Sequence, residues 1–345
     1  MTSPQKTALI TGVTGQDGSY LAEFLLEKNY RVVGLCRNNH AVAPANLSHL
    51  KNKITYASGD LSDPVSIYSV IHDVQPDEVY NLASQSYPGN SWNLALETMQ
   101  TNGLGAHRLF DTIRQLKPLC RIYQASSSEM FGEITHSPQT EQTPFNPMNP
   151  YAAAKLYAHN IARIYRKSYH MFISCGILFN HESPRRGMHF ITQKVTYAAA
   201  CLKLGIQNSA LLNEKGDPIV KNGSLSLGNL HAQRDWGFAG DYVEAMWLML
   251  QQEMPDDFII GTGTVKTIKE LCETAFSYVG LHWQDHVITD ERFVRPLETG
   301  HTLANANKAK NILGWSSKKS FEQLIAEMID HHLLNLQANA IPVTI

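Results

Sequence analysis

Tyr151 and Lys155 stand four residues apart in NPYAAAKLYA (149–158), so a helix opening there carries both on one face. An ammonium beside a phenol lowers its pKa and makes the tyrosine a usable acid and base. A second cluster lies upstream in QASSSEMFG (124–132), where Ser126, Ser127, Ser128 and Glu129 follow an apolar run. Alone these residues read as turn chemistry and a solvated acid. Beside Tyr151 and Lys155 they read as a site, because open α/β sheets build sites at strand carboxyl ends. The third group is Gly12, Gly15 and Gly18, spaced GxxGxxG with Gln16 and Asp17 between the last two. Glycines there permit a tight turn and let backbone approach a pyrophosphate facing a helix amino terminus. No acid lies between Tyr30 and Gly59, where one would bind a ribose 2′-hydroxyl, and Arg37 occupies that place. A guanidinium pairs with a 2′-phosphate, which predicts NADP, with Asp60 and Leu61 bordering the adenine.

These residues need a frame of alternating strands and helices. KTALIT (6–11), RVVGLC (31–36), KITYASGD (53–60), DEVYNLA (77–83), CRIYQAS (120–126) and MFISCGILF (171–179) read as buried strands. Helical patterns fall between them, at SYLAEFLLEKN, at PVSIYSVIHDV (64–74), around 96–116 and from Tyr151. The alternation predicts βαβ units and a doubly wound parallel sheet covered on both faces. Beyond it, loops rich in Gly, Asn and Asp are expected over 205–240, then a helix at 241–252 and a strand at 256–261. Thr267 with Glu270, and Ser320 with Gln323, have capping-box spacing. Trp236, Trp247 and Trp315 read as packing residues. His282 and His286 lack any accompanying carboxylate pattern, so no metal site is expected.

Composition narrows the function classes. Apolar residues at 43% and charged residues at 17% of 345 support a sizeable core. Lys and Arg total 29 against 31 acids, a net charge of −2, which gives no general pull toward nucleic acid or anionic lipid. Five scattered cysteines without CxxC spacing fit a reducing compartment. MTSPQKTALITG has no signal-peptide pattern and no apolar run reaches a membrane span, so a cytoplasmic protein is expected.

Longer stretches carry a resemblance. TGVTGQDGSYLAEFLLEK, QASSSEMFG, NPYAAAKLYA, GILFNHESPRRG, LGNLHAQRDWG, RFVRPLE (292–298) and NKAKNILGW (307–315) resemble the GDP-mannose 4,6-dehydratases, within the extended short-chain dehydrogenase/reductases. The matches run from residue 7 to about 330. The resemblance implies a Rossmann-type NADP-binding domain over 1–175, to which segments near 230–260 return. A smaller α/β nucleotide-sugar lobe over 176–345 would interleave with it. It implies catalytic roles for Ser127, Glu129, Tyr151 and Lys155. Cofactor contacts would fall on Gly12, Gly15, Gln16, Asp17, Gly18, Arg37, Asp60, Leu61, Leu82, Ala83, Tyr151, Lys155 and Arg186. Nucleotide-sugar contacts would fall on Ser86, Asn180, Lys194, Arg234, Arg295 and Glu298. A homo-oligomer, dimer or tetramer, is implied as well.

Three departures stand out. Ser127 replaces the family's usual Thr but keeps the hydroxyl. Pro88 and Gly89 in NLASQSYPGNSWN reshape the sugar-facing segment. The loop after Arg37 lacks the second basic residue common in the family. The implied reaction is internal: C4 of a GDP-hexose is oxidised, water leaves from C5 and C6, and the hydride returns to C6. Tyr151 would take the 4-hydroxyl proton, Glu129 the C5 proton, and Ser127 would assist the departing 6-hydroxyl. Two alternatives stay open within the fold, a dehydratase of another GDP-sugar and an NADPH-consuming GDP-4-keto-6-deoxyhexose reductase. A non-catalytic dinucleotide-binding scaffold is the alternative from another class.

Overall fold

The computed structural model describes residues 5–37, 45–134, 136–294 and 302–340. Its centre is a parallel sheet of β1 (Thr7–Thr11), β2 (Arg31–Cys36), β3 (Thr55–Ser58), β4 (Glu78–Asn81), β5 (Arg121–Ser127) and β6 (Ile173–Leu178). It is completed by a late strand, Asp257–Ile260. In space the order is late strand, β6, β5, β4, β1, β2, β3, every neighbour parallel. The chain winds outward from β1 in one direction and from β4 in the other. A crevice therefore opens between their carboxyl ends, where such sheets bind ligands.

Alternate strand residues feed two cores. Leu9, Val33, Val79 and Ile122 pack beneath α2 (Pro64–Val74), α4 (Gly105–Leu116) and α5 (Pro150–Tyr169). Ile10, Val32, Tyr80 and Tyr123 pack beneath α1 (Gln16–Glu27) and α7 (Ala239–Gln251). Cover on both faces explains why the strands read as continuous apolar runs. The predicted helix around 96–116 is divided: α3 (Ala95–Thr98) passes through a π-helical turn (Met99–Leu104) into α4. The late helix opens at Ala239, two residues before its predicted start.

A third core joins α6 (Ile191–Lys203), α8 (Ile268–Tyr278) and α9 (Phe321–Ala340). The stretch expected as loops over 205–240 differs from that reading, since it contains β8 (Val220–Lys221), β9 (Ser224–Leu227) and β10 (Gln233–Phe238). These strands are short: β8 and β9 form a local hairpin, while the remaining pairings of β9 and β10 reach segments distant in sequence. β10 pairs with β7 (Asn180–Glu182) on one side and β12 (Val265–Thr267) on the other, β11 being the late central strand. β9 pairs with β13 (Val287–Thr289). Both capping boxes form: Glu270 accepts from Thr267 N–H at 2.7 Å, and Gln323 from Ser320 N–H at 3.0 Å, each with its return bond. Trp236 and Trp315 are buried, and Trp247 packs edge-on against Phe24. Among the described residues, no helix is long and apolar enough to cross a membrane.

Candidate active site

The dinucleotide end is built by close backbone packing. The Thr11 hydroxyl closes β1 against β4, donating to Asn81 Oδ1 at 2.8 Å and accepting from the Leu82 and Ala83 N–H groups at 3.0 Å. Gly12 turns with φ +70°, and a Cβ there would lie 2.8 Å from Ala83 Cα. At Gly18 a Cβ would lie 2.4 Å from the Gly12 carbonyl oxygen, so any side chain would push the turn off the helix. Gly15 is the N-cap of α1 and offers no side chain between that helix end and a ligand.

A cleft of about 750 Å³ opens above this turn. Gly12, Gly15, Gln16, Asp17, Gly18, Arg37, Asp60, Leu61, Leu82, Ala83 and Arg186 line it, all eleven of the expected cofactor contacts outside the Tyr151–Lys155 pair. Arg37 is exposed at its far end. The Asp60 carboxyl there is held below its ordinary range, first by the Ser62 N–H, then by the Ser62 hydroxyl and the Arg37 charge. A glycine turn at a helix amino terminus, with a guanidinium at the other end, fits an elongated ligand carrying phosphates.

Asp17 is also tied to β7, a link that spacing alone does not reveal. Its carboxylate meets His181 Nε2 at 2.8 Å, and His181 Nδ1 faces the Phe179 carbonyl at 2.7 Å. Burial raises the Asp17 pKa, but the His181 charge and hydrogen bond overcome it and hold the group at about 2. Burial lowers His181, and Asp17 reverses that to a net rise. The Asp17 contribution to stability is present above the ordinary carboxylate range and is lost only as pH falls toward 2. The His181 contribution is complete below its ordinary value near 6.5 and fades as pH rises through the raised one. His181→Gln should therefore lower the melting temperature more at pH 6 than at pH 9. An equal loss at both values would show that the pair is not ionic.

The residues expected to handle protons meet where β5 ends and α5 begins. Asn149 caps α5 by accepting from Ala152 N–H at 2.8 Å, and Pro150 fills the first helical position, where it needs no donor. That start sets Tyr151 and Lys155 on the face toward β5. The Lys155 ammonium donates to the Ala125 carbonyl at 2.9 Å, and burial brings its pKa down to about 8. Burial pushes Tyr151 up to about 12, against the pull of a hydrogen bond with Ser127 and the charge of Arg186. The lowering expected from Lys155 is not among the influences on Tyr151; that ammonium donates to the β5 backbone and lies 5.8 Å from the Tyr151 ring centre. Ser127 ends β5 and caps the short turn that carries Glu129, accepting its N–H at 3.2 Å. Asn149 also donates to Glu129 Oε2 at 3.1 Å. The sequence reading missed Asn149: Asn-Pro before a helix could have signalled the cap, but only the fold shows that it also holds the acid.

Ser127, Glu129, Tyr151 and Lys155 share one pocket with Ser86, Asn180, Arg186, Lys194 and Arg234. Asp17, Leu82, Ser84, Ser86, Arg186, His189 and Phe190 line both this pocket and the cleft, so the two are continuous. Arg186 stacks on Phe190 at 3.4 Å and pairs with Glu182 at 3.2 Å. Lys194 is bonded to Glu214, which the sequence reading missed. Arg295 and Glu298 lie outside the described residues. His159, Cys175 and Asp257 bring their ligand atoms within 4.8 Å of one another. Asp257, however, pairs with Arg166 at 2.5 Å, and His159 Nδ1 faces the Ser126 hydroxyl at 2.9 Å. A guanidinium already neutralises that carboxylate, so the cluster reads as structural.

The sheet order, glycine turn and Tyr–Lys helix define the short-chain dehydrogenase/reductase class. The same fold is found in a dTDP-glucose 4,6-dehydratase from Streptomyces venezuelae crystallised with NAD. The TM-score is 0.80 at 22% identity, over 96% of this chain and 98% of that one. The GDP-mannose 4,6 dehydratase family model matches residues 9–328. GDP-mannose 4,6 dehydratase 1 of Arabidopsis thaliana is 47% identical, over 96% of this chain and 90% of that protein. The Homo sapiens GDP-mannose 4,6 dehydratase is 41% identical, over 99% and 95%. The chain belongs to the GDP-mannose 4,6-dehydratase family.

Proposed function

We propose that this chain converts GDP-mannose to GDP-4-keto-6-deoxymannose and water, with NADP as the cofactor that is reduced and reoxidised within each turnover. One observation carries the reading. The Ser127, Glu129, Tyr151 and Lys155 cluster shares a pocket with Lys194 and Arg234, and that pocket opens into the glycine-turn cleft. A nicotinamide dinucleotide held along the cleft would supply the acceptor and later the donor of a hydride. The chain's residues supply position and proton traffic. Lys194 and Arg234 would bind the diphosphate through charge-assisted hydrogen bonds. Tyr151 would take the proton of the C4 hydroxyl, with Ser127 and Lys155 stabilising the phenolate. Oxidation at C4 acidifies C5–H, and Glu129, oriented by Asn149, would remove that proton. Ser127 would hydrogen-bond the departing C6 hydroxyl, the proton that Tyr151 took from C4 would complete the water, and Glu129 would return a proton to C5 at the end.

The test is mass spectrometry of the purified protein with GDP-mannose and a trace of NADP. Full conversion with loss of one water and no net NADPH supports the reading. Stoichiometric use of NADPH would mark a reductase instead, and no reaction on GDP-mannose would move the activity to another GDP-sugar.

Arg37 at the end of β2, where no acid stands to bind a 2′-hydroxyl, supports NADP over NAD in this reading. The guanidinium is exposed, so solvent screens it. Arg37→Ala should weaken NADP by about 10-fold, near the lower end for charge-assisted bonds, and leave NAD nearly unchanged. Titrating both cofactors against both proteins checks this. Equal losses would make Arg37 a loop residue without a role in cofactor choice.

A further inference from the structure

Lys194 lies on α6 with only 7% of its surface exposed, and its ammonium is bonded to both carboxylate oxygens of Glu214, at 2.9 and 3.0 Å. Glu214 belongs to none of the expected catalytic, cofactor or substrate residues, yet it lines the same pocket. It sits at the tip of a tight turn closed by the bridge between Leu212 and Pro218. Asn213 organises that turn. Its N–H donates to the Asp217 carbonyl at 2.7 Å, and its side-chain oxygen accepts from the Lys215 and Asp217 N–H groups at 2.9 and 3.2 Å. Asp217 fastens the turn on its far side, to Lys221 at 3.0 Å and to Arg292 at 3.2 Å. Phe293, next to Arg292, lies over the Lys194 ammonium at 5.7 Å from its ring centre. The turn is thus held against the pocket wall from two directions, and its tip supplies the counter-charge of a nearly buried lysine.

We propose that Glu214 is an internal anion that competes with the substrate diphosphate for Lys194, so that nucleotide binding displaces the tip of the 212–218 turn. The inference rests on Lys194 being a diphosphate contact, as in the proposed function. A nearly buried ammonium without a partner is costly, so an internal carboxylate that neutralises it stabilises the pocket. A diphosphate on the same ammonium meets that carboxylate at close range. Two anions there repel, and the one with more partners displaces the other. Arg234 on the same wall gives the diphosphate a second cation, an advantage Glu214 lacks. Part of the nucleotide's binding free energy is then used to separate Glu214 from Lys194. Apparent affinity is lower than the site's cations alone would give. An anion bound to Lys194 without help from Arg234 gains less, so the carboxylate also screens out small single-charge anions.

Calorimetric titration of GDP into wild type, Glu214→Gln, Lys194→Met and the double variant tests this. Glu214→Gln keeps the size of the side chain at a turn tip and removes only its charge. It should tighten GDP by about 3- to 10-fold, the range of a part-exposed charge pair. That gain should vanish in the Lys194→Met background, because the two residues act on one another. Unchanged or weaker GDP binding by Glu214→Gln would overturn the proposal, as would an equal gain with and without Lys194. GDP binding that Lys194→Met leaves intact would instead remove Lys194 from the diphosphate site, and the competition with it. Hydrogen exchange of wild type gives a second readout: amides of 213–217 should exchange faster on adding GDP, and slower exchange there would contradict displacement.

Discussion

Replacing Tyr151 by Phe should lower kcat by about 10²- to 10⁴-fold while leaving GDP affinity within a factor of about two. The ring is buried at the start of α5, and Phe preserves its packing, so the fold has little reason to change. What disappears is the hydroxyl that shares a hydrogen bond with Ser127 and lies in the field of Arg186. Its ordinary acidity is suppressed by burial, to about 12, so proton transfer depends on the polar groups around it. Lys155, brought down to about 8 by burial, gains nothing from the lost phenol and cannot take its place at the C4 hydroxyl. In the proposed function, binding rests on Lys194 and Arg234 instead, which line the same pocket. The loss should therefore fall on kcat and not on the GDP dissociation constant. Turnover close to wild type would remove Tyr151 from the mechanism.

Glu129→Gln should separate the chemical steps. Tyr151, Lys155 and Ser127 remain, so oxidation at C4 can proceed and NADPH with the 4-keto sugar should accumulate on the enzyme. Removal of the C5 proton should fall by about 10²- to 10⁴-fold, the usual contribution of a positioned base. Gln retains a carbonyl oxygen for the Asn149 amide, 3.1 Å from Glu129 Oε2 in the wild type, so the local cap survives. In deuterated water the wild-type product acquires deuterium at C5, and the variant should show almost none over the same period. Rapid labelling by the variant would assign the base to another residue.

Much of this site was legible in the sequence because its parts are local. Gly12 to Gly18 lie on one turn, Ser127 and Glu129 on one strand end, and Tyr151 and Lys155 on one helical turn. Short-range spacing carries such information. Within 205–240, β8 and β9 form a hairpin over Asn222-Gly223, a local signal that the sequence reading missed, whereas β10 was hidden because it takes its order from partners far along the chain. The same holds for the link between Asp17 and His181, and for the ion pair between Lys194 and Glu214. Their residue types are ordinary, and only the packing of β7, α6 and the 212–218 turn brings them together. Arg37 illustrates the opposite case, where the absence of an acid over a whole segment is what carries the expectation of NADP. Asn149 lies between these extremes: its capping role is written in Asn-Pro, while its bond to Glu129 is a consequence of folding.

The central claim is that one hydride leaves C4 and returns to C6 of the same sugar. GDP-mannose carrying deuterium at C4 tests it most directly, with the enzyme, trace unlabelled NADP and magnetic resonance of the product. The account predicts deuterium at C6 of the 4-keto-6-deoxy product, and none washed into the cofactor pool. Product with C6 unlabelled, or deuterium recovered in released NADPH, would contradict it.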